Sequence, residues 1–171
     1  MKLTNTLALA VLIASSAVSF AAATPAAPAA PVITVGHVKA VTALMEAMQA
    51  EKLMTSIAYA SKYSTEEQRA AVLAKVEKTP KDRIYARLAF PLAKVISAET
   101  ASEMARFYAT PKGKQVVYRM YNDAGGPVPL GTPAERKDSK RPEFIKANKE
   151  LADADAAIRH EGFVLLQQIG K

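Results

Sequence analysis

The sequence predicts an all-α fold, a single-domain helical bundle of five to seven helices in partly orthogonal packing. Three observations carry that expectation. From residue 35 onward, apolar residues recur at spacings of three and four, the period of a helix buried on one side. At Ser64, Thr79, Ser97 and Thr110 a hydroxyl residue stands within two positions of a proline or an acid, just where a new apolar stripe begins, as at a capped helix start. No stretch alternates apolar and polar residues for long enough to make a strand.

The chain opens with segments that take no part in a core. Lys2 gives a minimal positive start, Leu7 to Phe20 (LALAVLIASSAVSF) is an uncharged apolar run, and Ala21-Ala22-Ala23 supplies small residues for cleavage. Residues 1–23 therefore read as a secretory signal peptide, cut after Ala23 or after Ala21, which makes the protein an exported, periplasmic one. The run is shorter than the roughly 20 residues of a spanning helix, and serines interrupt it. The prolines of TPAAPAAP (Thr24 to Pro31) favour an extended, solvated chain, so 24–34 is expected to be an Ala/Pro-rich tether. The helical domain then occupies 35–171.

Within it, Val38, Val41, Met45 and Met48, then Leu53 or Met54 and Ile57, mark one helix, or two joined near Gln49 to Glu51. Ser64-Thr65-Glu66-Glu67 has the form of a capping box and opens a helix from Thr65 to Lys78. Thr79-Pro80-Lys81-Asp82 opens the next, with a stripe of Ile84, Leu88, Leu92 and Val95, a polar flank of Arg83, Arg87 and Lys94, and a kink expected at Pro91. Ser97 caps a helix from Ala98 to Ala109, and Thr110-Pro111 starts another that buries Val116, Val117, Met120 and Tyr121 and runs out at Gly125-Gly126. With three glycines and four prolines, Gly125 to Pro142 reads as a long loop, spanning 124–142. A seven-residue repeat, Phe144, Leu151, Ile158 and Leu165, with alanines at 147, 154 and 157 between, carries the last helix from Glu143 to Ile169.

Composition narrows the chemistry. The chain has no cysteine, so neither disulfides nor thiolate metal sites enter, and stability rests on packing. Its net charge of +7 becomes +6 once Lys2 is removed with the leader. Such a surplus reads first as solubility, and where it marks a partner of an exported protein it points to anionic lipid headgroups or envelope polymers rather than nucleic acid. Only Lys137-Asp138-Ser139-Lys140-Arg141 is a tight basic cluster.

Motif tests are mostly negative. Gly113-Lys114 lacks the glycine five residues before the pair, where Tyr108 stands, and the hydroxyl residue after it, where Gln115 stands, so FYATPKGK (107–114) is not a phosphate loop. It reads as the joint between two helices. His160-Glu161 begins a zinc-protease helix motif, but Val164 replaces its second histidine. Met45, Met48 and Met54 near His37 are a thioether set of the kind that binds copper(I), but their place on the apolar stripe assigns them to the core. No metal or other cofactor is expected.

Residues 98–114 (AETASEMARFYATPKGK) together resemble the hallmark of a secreted bacterial family, domain of unknown function 2059. The match rests on Phe107-Tyr108, Thr110-Pro111, Gly113 and Lys114, preceded by Glu103-Met104 where the family has an acid and a leucine, and it is centred on residues 98–121. The resemblance implies an exported helical protein of Gram-negative bacteria and supplies no catalytic residues. Three functions are expected in order. First comes a non-enzymatic protein binding another envelope component through a helix-lined groove or the 124–142 loop. Next is salt-sensitive binding to anionic membrane or polymer through Lys137, Lys140, Arg141 and the flank of Arg83, Arg87 and Lys94, and last a hydrolase using distant carboxylates. The candidate binding residues are Tyr108, Lys112 and Lys114 at the joint and Lys137, Lys140 and Arg141 in the cluster.

Overall fold

The computed structural model describes residues 32–122 and 131–170, all-α throughout. The expected leader, most of the tether and the glycine-rich start of the 124–142 loop lie outside them. Nine helices occur among the described residues: α1 (Val35–Ala47), α2 (Ala50–Ala60), α3 (Glu66–Lys78), α4 (Lys81–Leu92), α5 (Ala98–Ala109), α6 (Pro111–Asn122), α7 (Pro133–Asp138), α8 (Pro142–Asp153) and α9 (Asp155–Gly170). There is no strand among them.

Of the two alternatives for Val35 to Ser61 the structure has the second: the segment breaks in two at Gln49, whose φ of 55° is left-handed and cannot continue a helix. The count exceeds the expected five to seven for two further reasons. The expected last helix bends at Ala154 into α8 and α9, while its hydrogen bonds run on through Ala154 N to Glu150 O (3.0 Å) and Ile158 N to Ala154 O (2.9 Å). The 124–142 segment, read as a loop, contains α7. There Thr132 and Glu135 form a reciprocal capping box strong enough to start a helix beside Pro133.

Local capping otherwise follows side-chain chemistry. Ser97 Oγ accepts from Thr100 N (3.3 Å) and Thr110 Oγ1 from Gly113 N (3.0 Å), as expected. The α3 cap sits one residue later than Ser64: Thr65 Oγ1 accepts from Gln68 N, and Gln68 Oε1 reaches back to Ser64 N. Thr79 does not cap α4, whose N-cap is Pro80; its hydroxyl and N–H instead donate to the last carbonyls of α3, at Lys75 (2.7 Å) and Val76 (3.1 Å). Pro91 lies inside α4, one residue before its end at Leu92, and the bond from Ala93 N to Ala89 O (2.9 Å) spans it. The turn beyond buries Ile96 in place of the expected Val95, which is exposed.

One core joins the helices. α1 packs on α4 and α5, α5 also on α6 and α8, and α9 on α2, α3 and α4. Leu44 and Met45, Met54, Leu88 and Leu92, Met104 and Leu166 are among its fully buried side chains. The heptad residues Phe144, Leu151, Ile158 and Leu165 are all buried, as are Met45, Met48 and Met54, which serve as core rather than as copper ligands. His37 donates from Nε2 to Ile96 O (2.7 Å), tying the start of α1 to the α4–α5 turn.

Polar clamps hold the same neighbours. Glu150 of α8 accepts from Ser97 N (2.6 Å), Ser97 Oγ (3.1 Å) and the buried Thr100 Oγ1 (2.7 Å), so a side chain of α8 completes the N-terminus of α5. Burial pushes the Glu150 carboxyl up, but these donors reverse that and hold it below the ordinary glutamate range. Glu51 of α2 accepts from Tyr85 Oη (2.7 Å) and Lys81 Nζ (3.0 Å) of α4. Its carboxyl too is raised by burial and lowered further by its donors, ending below the ordinary value.

Candidate functional site

The joint between α5 and α6 is built by contact between backbones. A β-carbon at Gly113 would stand 2.0 Å from Phe107 O and 2.5 Å from Tyr108 Cα, so only glycine lets the first turn of α6 lie against the last turn of α5. Thr110 Oγ1 bridges the two, donating to Phe107 O (2.7 Å) and accepting from Gly113 N. Phe107 meets the Phe144 ring edge-on, centroids 4.9 Å apart, which seats α8 on the joint.

That geometry turns Tyr108 inward. Its ring is 7% exposed, and burial raises its hydroxyl pKa. The expected rim of Tyr108 with Lys112 and Lys114 is therefore not formed: the cleft that Tyr108 lines contains neither lysine. Lys112 is half-buried, its backbone N–H donating to Glu135 Oε1 (3.2 Å), while Lys114 is exposed. Glu135 also accepts from Thr132 N (2.7 Å), so one carboxylate serves the N-termini of both α6 and α7, and those backbone donors hold its pKa down.

The basic cluster also divides. Lys137 and Lys140 are exposed. Arg141 is committed to ion pairs, with Asp138 (2.6 Å), with Glu143 (3.6 Å) and with Glu103 of α5. Arg106 joins the same set through Glu103 (2.8 Å) and Asp138 (3.1 Å). The hydrogen bond from Arg141 keeps the Asp138 carboxyl low. Arg141 thus fastens the α7–α8 turn to α5, and its charge is neutralised where a free base was expected.

What the structure does assemble is a cleft where α2, α5, α6, α8 and α9 converge, about 210 Å³ in volume. Leu53, Tyr108, Leu151 and Ile158 line its inner part, and Met120, Ser56, Asn148 and Ala152 are the exposed residues around it. Its polar groups are largely spoken for. Tyr121 Oη donates to Met48 O (3.0 Å), and burial pushes that hydroxyl's pKa upward. Arg159 Nε donates to Asp155 Oδ2 (2.7 Å) at the rim. Among the described residues no set of three or more histidine or acidic side chains converges as metal ligands would. Sequence reasoning marked Tyr108 but missed the cleft, because its walls come from five helices whose convergence leaves no local pattern; the one readable signal was the i,i+4 pair Asp155 and Arg159.

No family model matches the chain, and neither a curated protein nor a solved structure resembles it significantly.

Proposed function

We propose that the chain is an exported, non-enzymatic helical protein of the bacterial envelope that binds another envelope protein by seating one of its apolar side chains in the cleft beside Tyr108. The observation that carries this reading is the match of volume to lining. A cavity of about 150 Å³ accommodates a benzene ring, while sites for drug-sized ligands begin near 300 Å³. At about 210 Å³, with leucine, isoleucine, methionine and tyrosine walls, the cleft suits a single aromatic or branched anchor rather than a cofactor. Its Asp155 and Arg159 pair at the rim supplies the polar surround that anchors favour.

The four acids that clamp helices together are not disposed to act as general acids. A general acid needs a raised pKa, whereas Glu51, Glu135, Asp138 and Glu150 are all displaced downward by their donors. The leader-like residues 1–23 support export.

The test is in-cell photocrosslinking from Ser56 at the rim, at native expression level, with mass spectrometry of the captured species. One dominant protein is expected, and its crosslink should vanish in an Ala152→Phe variant, whose ring fills the cleft. Capture that survives the filled cleft would refute the reading.

A further inference from the structure

The outward face of α4 is a second surface with its own chemistry. At about 100° per residue, Arg83, Arg87 and Phe90 fall within an arc of roughly 60° on α4, turned away from the buried stripe of Ile84, Leu88 and Leu92, and Lys94 follows in the turn just beyond the helix end. Arg83 and Arg87 are exposed and neither has an acidic partner among the described residues. Phe90 is 54% exposed, and Lys94 Nζ lies 5.4 Å from its ring centroid. The cleft beside Lys94 is edged by Val95, 48% exposed, and by Val32, 84% exposed. Aspartate 82 lies about 100° away on the flank of α4; of the two acids lining that cleft, Glu150 is taken up by Ser97 and Thr100 and Glu99 belongs to the first turn of α5, and neither pairs with Arg83, Arg87 or Lys94.

Three unneutralised cations around an outward aromatic, beside exposed valines, are what a bilayer interface selects. The cations meet anionic headgroups, and the apolar side chains enter the headgroup and acyl boundary. A soluble polyanion would use the cations and leave Phe90, Val95 and Val32 in water. We infer that this face of α4, rather than the Lys137–Arg141 cluster whose arginine is consumed in ion pairs, docks the protein on an anionic lipid bilayer. The inference is independent of the cleft beside Tyr108, since no residue of the stripe lines it.

Flotation with vesicles tests it, using phosphatidylcholine alone or phosphatidylcholine with one third phosphatidylglycerol. The apolar run Leu7–Phe20 would itself enter lipid, so the assay uses the chain from Thr24, which retains every buried residue of the core. Circular dichroism checks that each variant keeps the parent's helix content. Association with the anionic vesicles alone is expected, falling steeply with salt. Each cation contributes about fivefold to partitioning, so R83A/R87A/K94A should weaken it about a hundredfold. K137A/K140A should bind like the parent, and Phe90→Ser should weaken vesicle binding while leaving retention on heparin unchanged. Equal binding to both vesicles, no binding, an undiminished triple variant, or an equal loss in K137A/K140A would each overturn the inference. A Phe90→Ser variant that floats like the parent while heparin competes the parent off would assign the face to a polymer and overturn the bilayer reading.

Discussion

Two glycines in similar helical settings should behave in opposite ways. At Gly113 the atoms in the way of a β-carbon are backbone, Phe107 O and Tyr108 Cα, which move only if α5 and α6 separate. Gly113→Ala is therefore expected to cost about 3 kcal/mol or more in urea unfolding, in the range of severe overpacking. At Gly162 the nearest atom is Ile57 Cδ1, at 2.5 Å, the free end of a flexible chain. Gly162→Ala should change stability by less than about 1 kcal/mol, the rotamer change of Ile57 being offset by the better helix propensity of alanine. The role of FYATPKGK as a joint was legible because cap, proline and glycine act within a few residues of one another. That Tyr108 turns inward was not, since its direction depends on where α2, α8 and α9 lie.

Among the helices, breaks were harder to read than starts. The ends at Ser97 and Thr110 carry a hydroxyl in the right place, whereas near Gln49 the apolar spacing left one helix or two open, and nothing in Asp153-Ala154-Asp155 marks a boundary. The chain bends there because α1 and α2, and likewise α8 and α9, pack on different partners, α1 and α8 on α5, α2 and α9 on each other. Gln49 bears the cost of that bend in a left-handed conformation, with its Oε1 buried and without a hydrogen bond. Gln49→Gly should raise stability by about 1 kcal/mol, since glycine adopts this conformation without penalty. α7 was legible in Thr132-Pro133-Ala134-Glu135 and was outweighed by the glycines and prolines around it. Glutamate 135 holds the ends of two helices, so Glu135→Ala should speed amide exchange in α7 and at Lys112 and Gly113, leaving α1 and α4 protected.

For the molecule as a whole, the clamps at Glu51 and Glu150 set the response to acid. Both carboxyls bind protons less readily in the folded chain than in the unfolded one. Their contribution is complete above the ordinary glutamate range and is lost as pH falls through their lowered folded values. The urea midpoint should stay level from neutrality to about pH 5 and decline below it. An E51Q/E150Q variant should start lower at neutral pH and converge with the parent in acid; parallel curves would contradict the assignment.

The position of α9 in the chain has a consequence in time. It is the last described helix in sequence, yet it covers α2, α3 and α4, and Lys75 of α3 donates to its Gly170 O (2.6 Å). Glutamate 150, which completes the start of α5, also arrives 53 residues after Ser97. A chain emerging from its amino end can therefore seat α1 against α4 and α5 early, but leaves α2, α3 and α4 uncovered until α9 has followed.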